Sequence, residues 1–262
     1  MNAQELSLAE LRVRVRQAPD SAERQRLECA LRDDPRAGAR RLAETLARAR
    51  ERELAERARL QGLFSLRRSL RRQGARLVAG VDEVGMGPLA GPVVAAAVVL
   101  PDAVDLPGLD DSKRVNRARR EKLARRVHEQ ALALCIAEVD EREIDRLNIY
   151  RAGLEAMRRA VAGLSEEPDH VVVDARTIPG LSAPQTAIVG GDALDGSIAA
   201  ASIVAKVYRD ATMQRLDAVH PGYGFARHKG YPTPEHLAAL RRLGPSPSHR
   251  RSFGPVAQHE FL

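Results

Sequence analysis

LVAGVDEVGMGPLAGPVVAAAVVL, residues Leu77 to Leu100, decides how the rest of the chain is read. An apolar run from Leu77 to Val81 delivers two adjacent carboxylates, Asp82 and Glu83. Gly85, Gly87 and Gly91 mark a tight turn, and a second apolar run, Val93 to Leu100, leaves it. Strand, acid pair, glycine turn and strand form an arrangement that can hold a cation and let backbone approach a ligand closely. Gly85, Gly87 and Ala90 also fit the dinucleotide pattern G-x-G-x-x-A. That pattern needs a helix N-terminus to receive the pyrophosphate. Here Pro88 and Pro92 interrupt the segment and the β-rich run VVAAAVVL follows, so a dinucleotide enzyme is disfavoured.

Outward from this stretch, 262 residues allow one large domain, or a medium domain with an extension. Tryptophan is absent and aromatics are few, so the core must rest on Val, Leu, Ile and Ala. No apolar run approaches the roughly 18 residues of a spanning helix. The first residues, MNAQELSLAELRVRVRQ, lack a signal-peptide core, and a cytosolic protein without membrane contact is expected. Cys29 and Cys135 lie far apart without metal-ligand spacing, so two reduced, buried thiols are expected. The net charge of +7 is uneven: residues 1–76 hold 19 Arg against 11 acids, whereas the rest is near neutral, with 23 basic and 24 acidic groups. A basic extension on a neutral body points to a polyanionic partner.

Residues 1–72 read as a helical extension that aids substrate binding, and 73–262 as the catalytic domain. Ser7-Leu8-Ala9-Glu10 is a capping box, Asp20 to Glu23 offers a second helix start, and Asp34-Pro35 a third. The third helix is expected to run roughly to Gln61, with Leu42, Leu46, Leu54 and Leu60 on its apolar face. Beyond the joint, strands are expected at 77–83, 92–100 and 132–139, with a helix from Arg117 to Gln130. A helix around Ile144 to Leu164, a short strand Val171 to Asp174, and an apolar run from Ala187 towards Asp192 follow. A long helix, Ser197 to Asp217, carries alanines at close-packing positions 199–201 and 205. A loop from His220 to Pro234 and a helix from Glu235 to Leu243 complete the body. Three strands, then strands alternating with helices, predict a mixed α/β sheet.

Asp82, Glu83, Asp174 and Asp192 stand at or just after the ends of three apolar runs. Strand ends can converge on one sheet edge. Four carboxylates held close together cannot all stay ionised without cations, because like charges raise one another's pKa. Hard divalent ions relieve that repulsion and take oxygen ligands. Two ions about 3.5–4 Å apart would suit in-line phosphoryl displacement. A second constellation is Phe225-Ala226-Arg227-His228-Lys229-Gly230-Tyr231-Pro232, in which Tyr231 can stack on a sugar or base while Lys229 meets a phosphate. His228, His236 and His249 are scattered and read as surface or structural groups.

The segments AGVDEVGMGPLAGPVVAAAVVL, LDDSKRVN, EIDRLNIYRAGLEAMRRAVAGL, VVVDA, IVGGDALDGSIAAASIVAKVYRD, YGFARHKGYPTPEHL and HRRSFGPV together resemble bacterial ribonuclease HII, in order over about residues 76–256. The extension, with its DDPR and long helix, looks like that of the family's longer members. The resemblance implies an RNase H-like fold: a mixed five-stranded sheet flanked by helices. It implies an endonuclease that hydrolyses the RNA strand of RNA/DNA hybrids and cuts 5′ to single ribonucleotides embedded in duplex DNA. Mn²⁺ or Mg²⁺ would be the cofactor, and the products 3′-hydroxyl and 5′-phosphate ends. Asp82, Glu83, Asp174 and Asp192 match the family's catalytic and metal-holding carboxylates, with Asp82 between the metals and Asp192 near the attacking water. Gly85, Met86 and Gly87 would present backbone to the ribose 2′-hydroxyl. Ser112 and Lys113 fall in a DSK motif near the substrate backbone, and Tyr231 matches the tyrosine that packs on the nucleotide beyond the ribonucleotide. A monomer is expected, because no long exposed apolar seam is evident outside the extension.

Two positions depart from the family pattern. Met86 stands where Gly-Arg-Gly is usual, which removes a charge-assisted contact contributing roughly 1.5–3 kcal/mol. Weakened substrate binding or junction preference is expected, with the metal chemistry kept. A catalytically weak hybrid-binding protein is the alternative that Met86 supports. Gly190-Gly191 stands where a lysine is common, removing a cation near the acids.

Overall fold

The computed structural model describes residues 5–258. The chain divides into two compact units, Met1–Gln61 and Gly62–Leu262. In the first, α1 (Leu8–Gln17), α2 (Ser21–Arg32) and α3 (Ala37–Leu63) follow one another. Ser7 and Glu10 form the expected capping box on α1, and Asp20 accepts from the Glu23 amide to start α2. Leu11, Leu27, Leu31 and Leu46 are buried together. Asp34 does not start α3 in the expected way. Its buried carboxylate turns instead to the Arg36 amide and guanidinium, at 2.6 to 2.9 Å, and the helix begins at Ala37. Leu54 is exposed, off the buried face.

The joint expected between residues 72 and 73 lies earlier. Helix α4 (Ser65–Arg72) belongs to the second unit, where Leu70 packs with Val78, Val172 and Ile198 and the buried Arg67 donates to the Leu100 carbonyl. The charge distribution moves with it. Of the 19 arginines in residues 1–76, five lie at 62–76, which leaves 14 against 11 acids in the first unit. Several of those are neutralised locally, such as Arg32 and Arg50 on Glu28.

The second unit is a five-stranded sheet in the order β3-β2-β1-β4-β5. Its strands are β1 (Val78–Val84), β2 (Val93–Val99), β3 (Ala133–Val139), β4 (His170–Asp174) and β5 (Gln185–Ile188). The first three pair antiparallel, and β1–β4 and β4–β5 pair parallel, so the sheet is mixed, as the pattern of strands and helices predicts. Helix α5 (Arg117–Gln130) links β2 to β3. The helix expected over 144–164 is two, α6 (Glu141–Leu147) and α7 (Ile149–Ala162). Asn148 breaks them apart at φ 69, and its side chain caps α7 by accepting from the Arg151 amide. After β5 come α8 (Gly191–Leu194), the long α9 (Gly196–Val219), α10 (Phe225–His228), α11 (Pro234–Leu243) and α12 (Gly254–Ala257).

The seven residues of β2 are all buried because helices cover both faces of the sheet. On one face α7 packs Ala152, Ala156 and Met157 against Val81, Val93, Val171 and Val173. On the other, α9 lies so close that a Cβ on Gly80 would fall 2.1 Å from the Ser197 backbone carbon. Small buried residues at 199–201 and 205 permit this approach, as their pattern predicts. Cys29 is exposed and Cys135 half-buried, not both buried as expected; both are free thiols. Among the described residues, no helix is long and apolar enough to cross a membrane.

Candidate active site

Side chains alternate across a strand. In β1, Val81 faces α7, so Asp82 faces α9 and Glu83 returns to the α7 side. In β4, Val173 faces α7 and Asp174 shares the α9 face with Asp82. Because β1 and β4 run parallel with Val81 beside Val173, Asp82 and Asp174 leave the sheet at the same edge. Asp192 is not at a strand end. The run stops at Ile188, Val189 is exposed, and Asp192 is buried on the short α8. The Gly191 amide donates to Asp174 Oδ1 at 2.7 Å and ties that turn to β4.

The electrostatics are those of crowded acids. Burial pushes the Asp82 carboxyl well above its usual range, and Glu83, Asp174 and Asp192 add to the shift, while the Ser202 hydroxyl opposes it. Burial likewise raises Glu83 to about 7, although Arg176 pulls it down. Asp192 is raised by burial and by Asp111, with Lys113 opposing. Two protein cations flank the acids: Lys113 Nζ stands 3.4 Å from Asp192 and Arg176 Nη1 stands 3.5 Å from Glu83. Among the described residues, no three His, Cys, Asp or Glu side chains form a ready-made metal cage. The donors are nonetheless all carboxylate oxygens with excess negative charge, which suits a hard divalent ion.

The glycine turn is held by two buried arginines that sequence reading passed over. Arg250 donates to the carbonyls of Gly85, Met86 and Gly91. Arg209, on α9, donates to Ala90 and Pro92 and reaches the Lys229 carbonyl in the next loop. A signal was present for Arg209, which follows Ala205 and precedes Met213 at helical spacing on a buried face. With those carbonyls occupied, the amides of Gly85, Met86 and Gly87 donate to nothing among the described residues. Gly85 has φ 94, and a Cβ there would strike the Arg209 side chain.

The remaining expected contacts divide. Tyr231 is half-exposed, its ring edge 3.5 Å from where a Gly87 Cβ would lie. Lys113 is exposed. Ser112 is buried against Ser202, its hydroxyl accepting at 3.0 Å, so it supports the loop from beneath. Lys229 turns back to the Ala226 carbonyl at 2.7 Å. Met86 packs on the core beside α7, its sulfur 2.9 Å from a Gly153 Cβ position, and the guanidinium of Arg176 lies close by. Gly191 has no room for a side chain beside Ile198, whereas Gly190 faces open space.

The scattered histidines come together. The Ser246 amide donates to His249 Nδ1 at 3.0 Å, so the ring proton of neutral His249 is assigned to Nε2. That nitrogen faces His236 Nε2 at 3.0 Å, and His236 Nδ1 then donates to the Tyr231 carbonyl at 2.9 Å. His228 stacks on His236 with centroids 4.4 Å apart. Burial lowers both His236 and His249, the latter to about 3. The structural reading of these residues stands, and they hold the backbone of Tyr231.

The family model for ribonuclease HII matches residues 79–256. The chain belongs to the ribonuclease HII family. It is 55% identical over 230 residues to the ribonuclease HII of Myxococcus xanthus, across 87% of this chain and 78% of that one. It is 57% identical over 198 residues to the enzyme of Moorella thermoacetica, across 76% of this chain and 96% of that one. Among solved structures, ribonuclease H2 of Pyrococcus horikoshii superposes with a TM-score of 0.61 at 27% identity, covering 71% of this chain and 97% of that one. The chain is thus a ribonuclease H, a hydrolase of RNA in RNA/DNA hybrids, in a family that depends on divalent metal ions.

Proposed function

We propose that this ribonuclease HII cuts 5′ to single ribonucleotides in duplex DNA, as well as within RNA/DNA hybrids, by two-metal-ion hydrolysis to 3′-hydroxyl and 5′-phosphate ends. Asp82, Glu83, Asp174 and Asp192 would hold Mg²⁺ or Mn²⁺. The observation that carries the reading is their delivery to one sheet edge by β1, β4 and α8, beside the ring of Tyr231 and a glycine turn whose amides donate to nothing among the described residues. Bound divalent ions would supply a nucleophilic water near neutral pH and stabilise the leaving oxygen.

The chain's own residues do the rest. Burial raises Asp82 and Glu83, so a bound divalent cation would favour their charged forms and be accompanied by proton release. The amides of Met86 and Gly87 suit the 2′-hydroxyl, which separates RNA from DNA. Tyr231 offers a stacking face held by the histidine chain. Lys113 reaches the substrate backbone from the Asp192 side; Lys229 is a further cation in the Tyr231 loop, and Ser112 supports from below. In this reading the enzyme is a monomer, and the exposed thiol of Cys29 suits a reducing cytosol.

The test is cleavage of a DNA duplex carrying one ribonucleotide, with Mg²⁺ and separately with Mn²⁺, against an all-DNA duplex and the Asp82→Asn variant. A single cut 5′ to the ribonucleotide, lost in the variant, is expected. Binding without a cut would overturn the reading in favour of a catalytically weak hybrid-binding protein, the outcome Met86 supports.

A further inference from the structure

We propose that Arg176 is a substrate-binding residue, whose guanidinium, stacked on Tyr150 beside Glu83, takes a phosphate oxygen of the bound nucleic acid. This rests on the reading that the scissile phosphate sits at the four carboxylates.

Strand β4 ends at Asp174, and Ala175 follows at φ 56. A non-glycine residue in that region is strained, and such strain collects at functional sites. The turn, closed by the Arg176 amide donating to the Asp174 carbonyl at 2.6 Å, brings Arg176 back towards β1. Its guanidinium carbon lies 4.9 Å from the centre of the exposed Tyr150 ring, and Nη1 lies 3.5 Å from Glu83 Oε1. A guanidinium offers five N–H donors. Among the described residues none of those of Arg176 makes a hydrogen bond; Nη1 is buried, with Glu83 as its ionic neighbour. The contrast with Arg209 and Arg250 is plain, since both give their donors to carbonyls of the glycine turn. A planar cation fixed by an aromatic face, with donors that make no hydrogen bond, at the rim of an anionic cleft, is suited to contact with phosphate.

Met86 completes the arrangement. Its sulfur and Arg176 Nη1 crowd the same spot above Gly153, 2.9 and 3.4 Å from the place a Cβ would take. The thioether gives the guanidinium an uncharged neighbour. A second cation at position 86 would compete for that volume and repel Arg176.

The experiment measures hybrid binding by fluorescence anisotropy in EDTA, over a range of salt, together with KM and kcat in Mn²⁺. Arg176→Met is expected to weaken binding about ten-fold and to reduce the slope of log K against log salt by about one, the mark of a lost phosphate contact. Arg176→Lys should keep the salt slope and recover only part of the affinity. Met86→Arg should restore the slope in the Arg176→Met background and give no gain in the parent. Melting temperatures within a few degrees of the parent establish that the variants are folded. Unchanged affinity and salt slope with a reduced kcat would overturn the proposal and leave Arg176 as a group that only sets the charge of Glu83. Failure of the parent to cut, with Arg176→Met still showing the lost salt slope, would sink the nuclease reading alone.

Discussion

His249 illustrates how far a side chain's role depends on what surrounds it. It is 1% exposed, and its pKa is pushed down to about 3. The unfolded chain takes up a proton near pH 6.5, and the folded chain resists it until far lower. The stability it contributes is therefore complete above about pH 6.5 and is lost as pH falls towards 3. By pH 5 the loss from this group alone is about 2 kcal/mol. Asp82 and Glu83, raised by burial, act in the opposite direction, so parent and variant must be compared. Urea unfolding at pH 7.5 and pH 5 is expected to show a smaller acid loss in His249→Gln than in the parent. Equal losses in the two would assign the acid sensitivity elsewhere. In the sequence these histidines were isolated letters, because nothing local shows that His236 and His249 meet.

Helix α9 on β1 is the contact that sets the site. The helix carries Ser202 to Asp82 and Arg209 to the glycine turn, so a change in its distance from the sheet moves both. Gly80 controls that distance. A Cβ there would lie 2.1 and 2.3 Å from the backbone carbon and oxygen of Ser197, and backbone cannot rotate aside as a side chain can. Gly80→Ala is expected to cost about 3 kcal/mol in urea unfolding and to reduce hybrid cleavage. Gly190→Ala meets no atom within 4 Å and only places alanine at φ 68, so about 1 kcal/mol is expected. Comparable losses for the two would show that α9 yields more freely than this packing implies. The close approach was legible in outline from the alanines of α9. The glycine in β1 facing it was legible only as a small residue in an apolar run.

The whole chain carries +7, and where that charge resides determines what the extension can do. The first compact unit holds a surplus of only three, since five arginines of the basic segment lie beyond Gln61. Each phosphate neutralised by a basic group contributes about 0.9 to the salt slope of duplex binding. Deleting residues 1–61 is therefore expected to lower the slope by no more than about 3, with the cleavage site unchanged. Anisotropy titrations of the full and shortened chains across salt concentrations would read this directly. A slope that does not change would remove the extension from substrate binding.

The amino-acid sequence by itself determined the sheet and its acids. Strand periodicity, turn glycines and helix caps act over a few residues, and Asp82, Glu83 and Asp174 are placed by the strands that carry them. The tertiary structure decided everything that depends on partners far along the chain. Arg250 meets Gly91 across 159 positions, and Arg209 meets Ala90 across 119. Arg176 turns to Glu83 through one strained residue, and Asp192, expected at or just after an apolar run, reaches the acids on a short helical turn. The physical reason is the range of the forces. Local propensity and burial pattern say which face of an element is apolar, whereas buried hydrogen bonds and paired charges are satisfied by whatever the completed fold brings within about 3 Å.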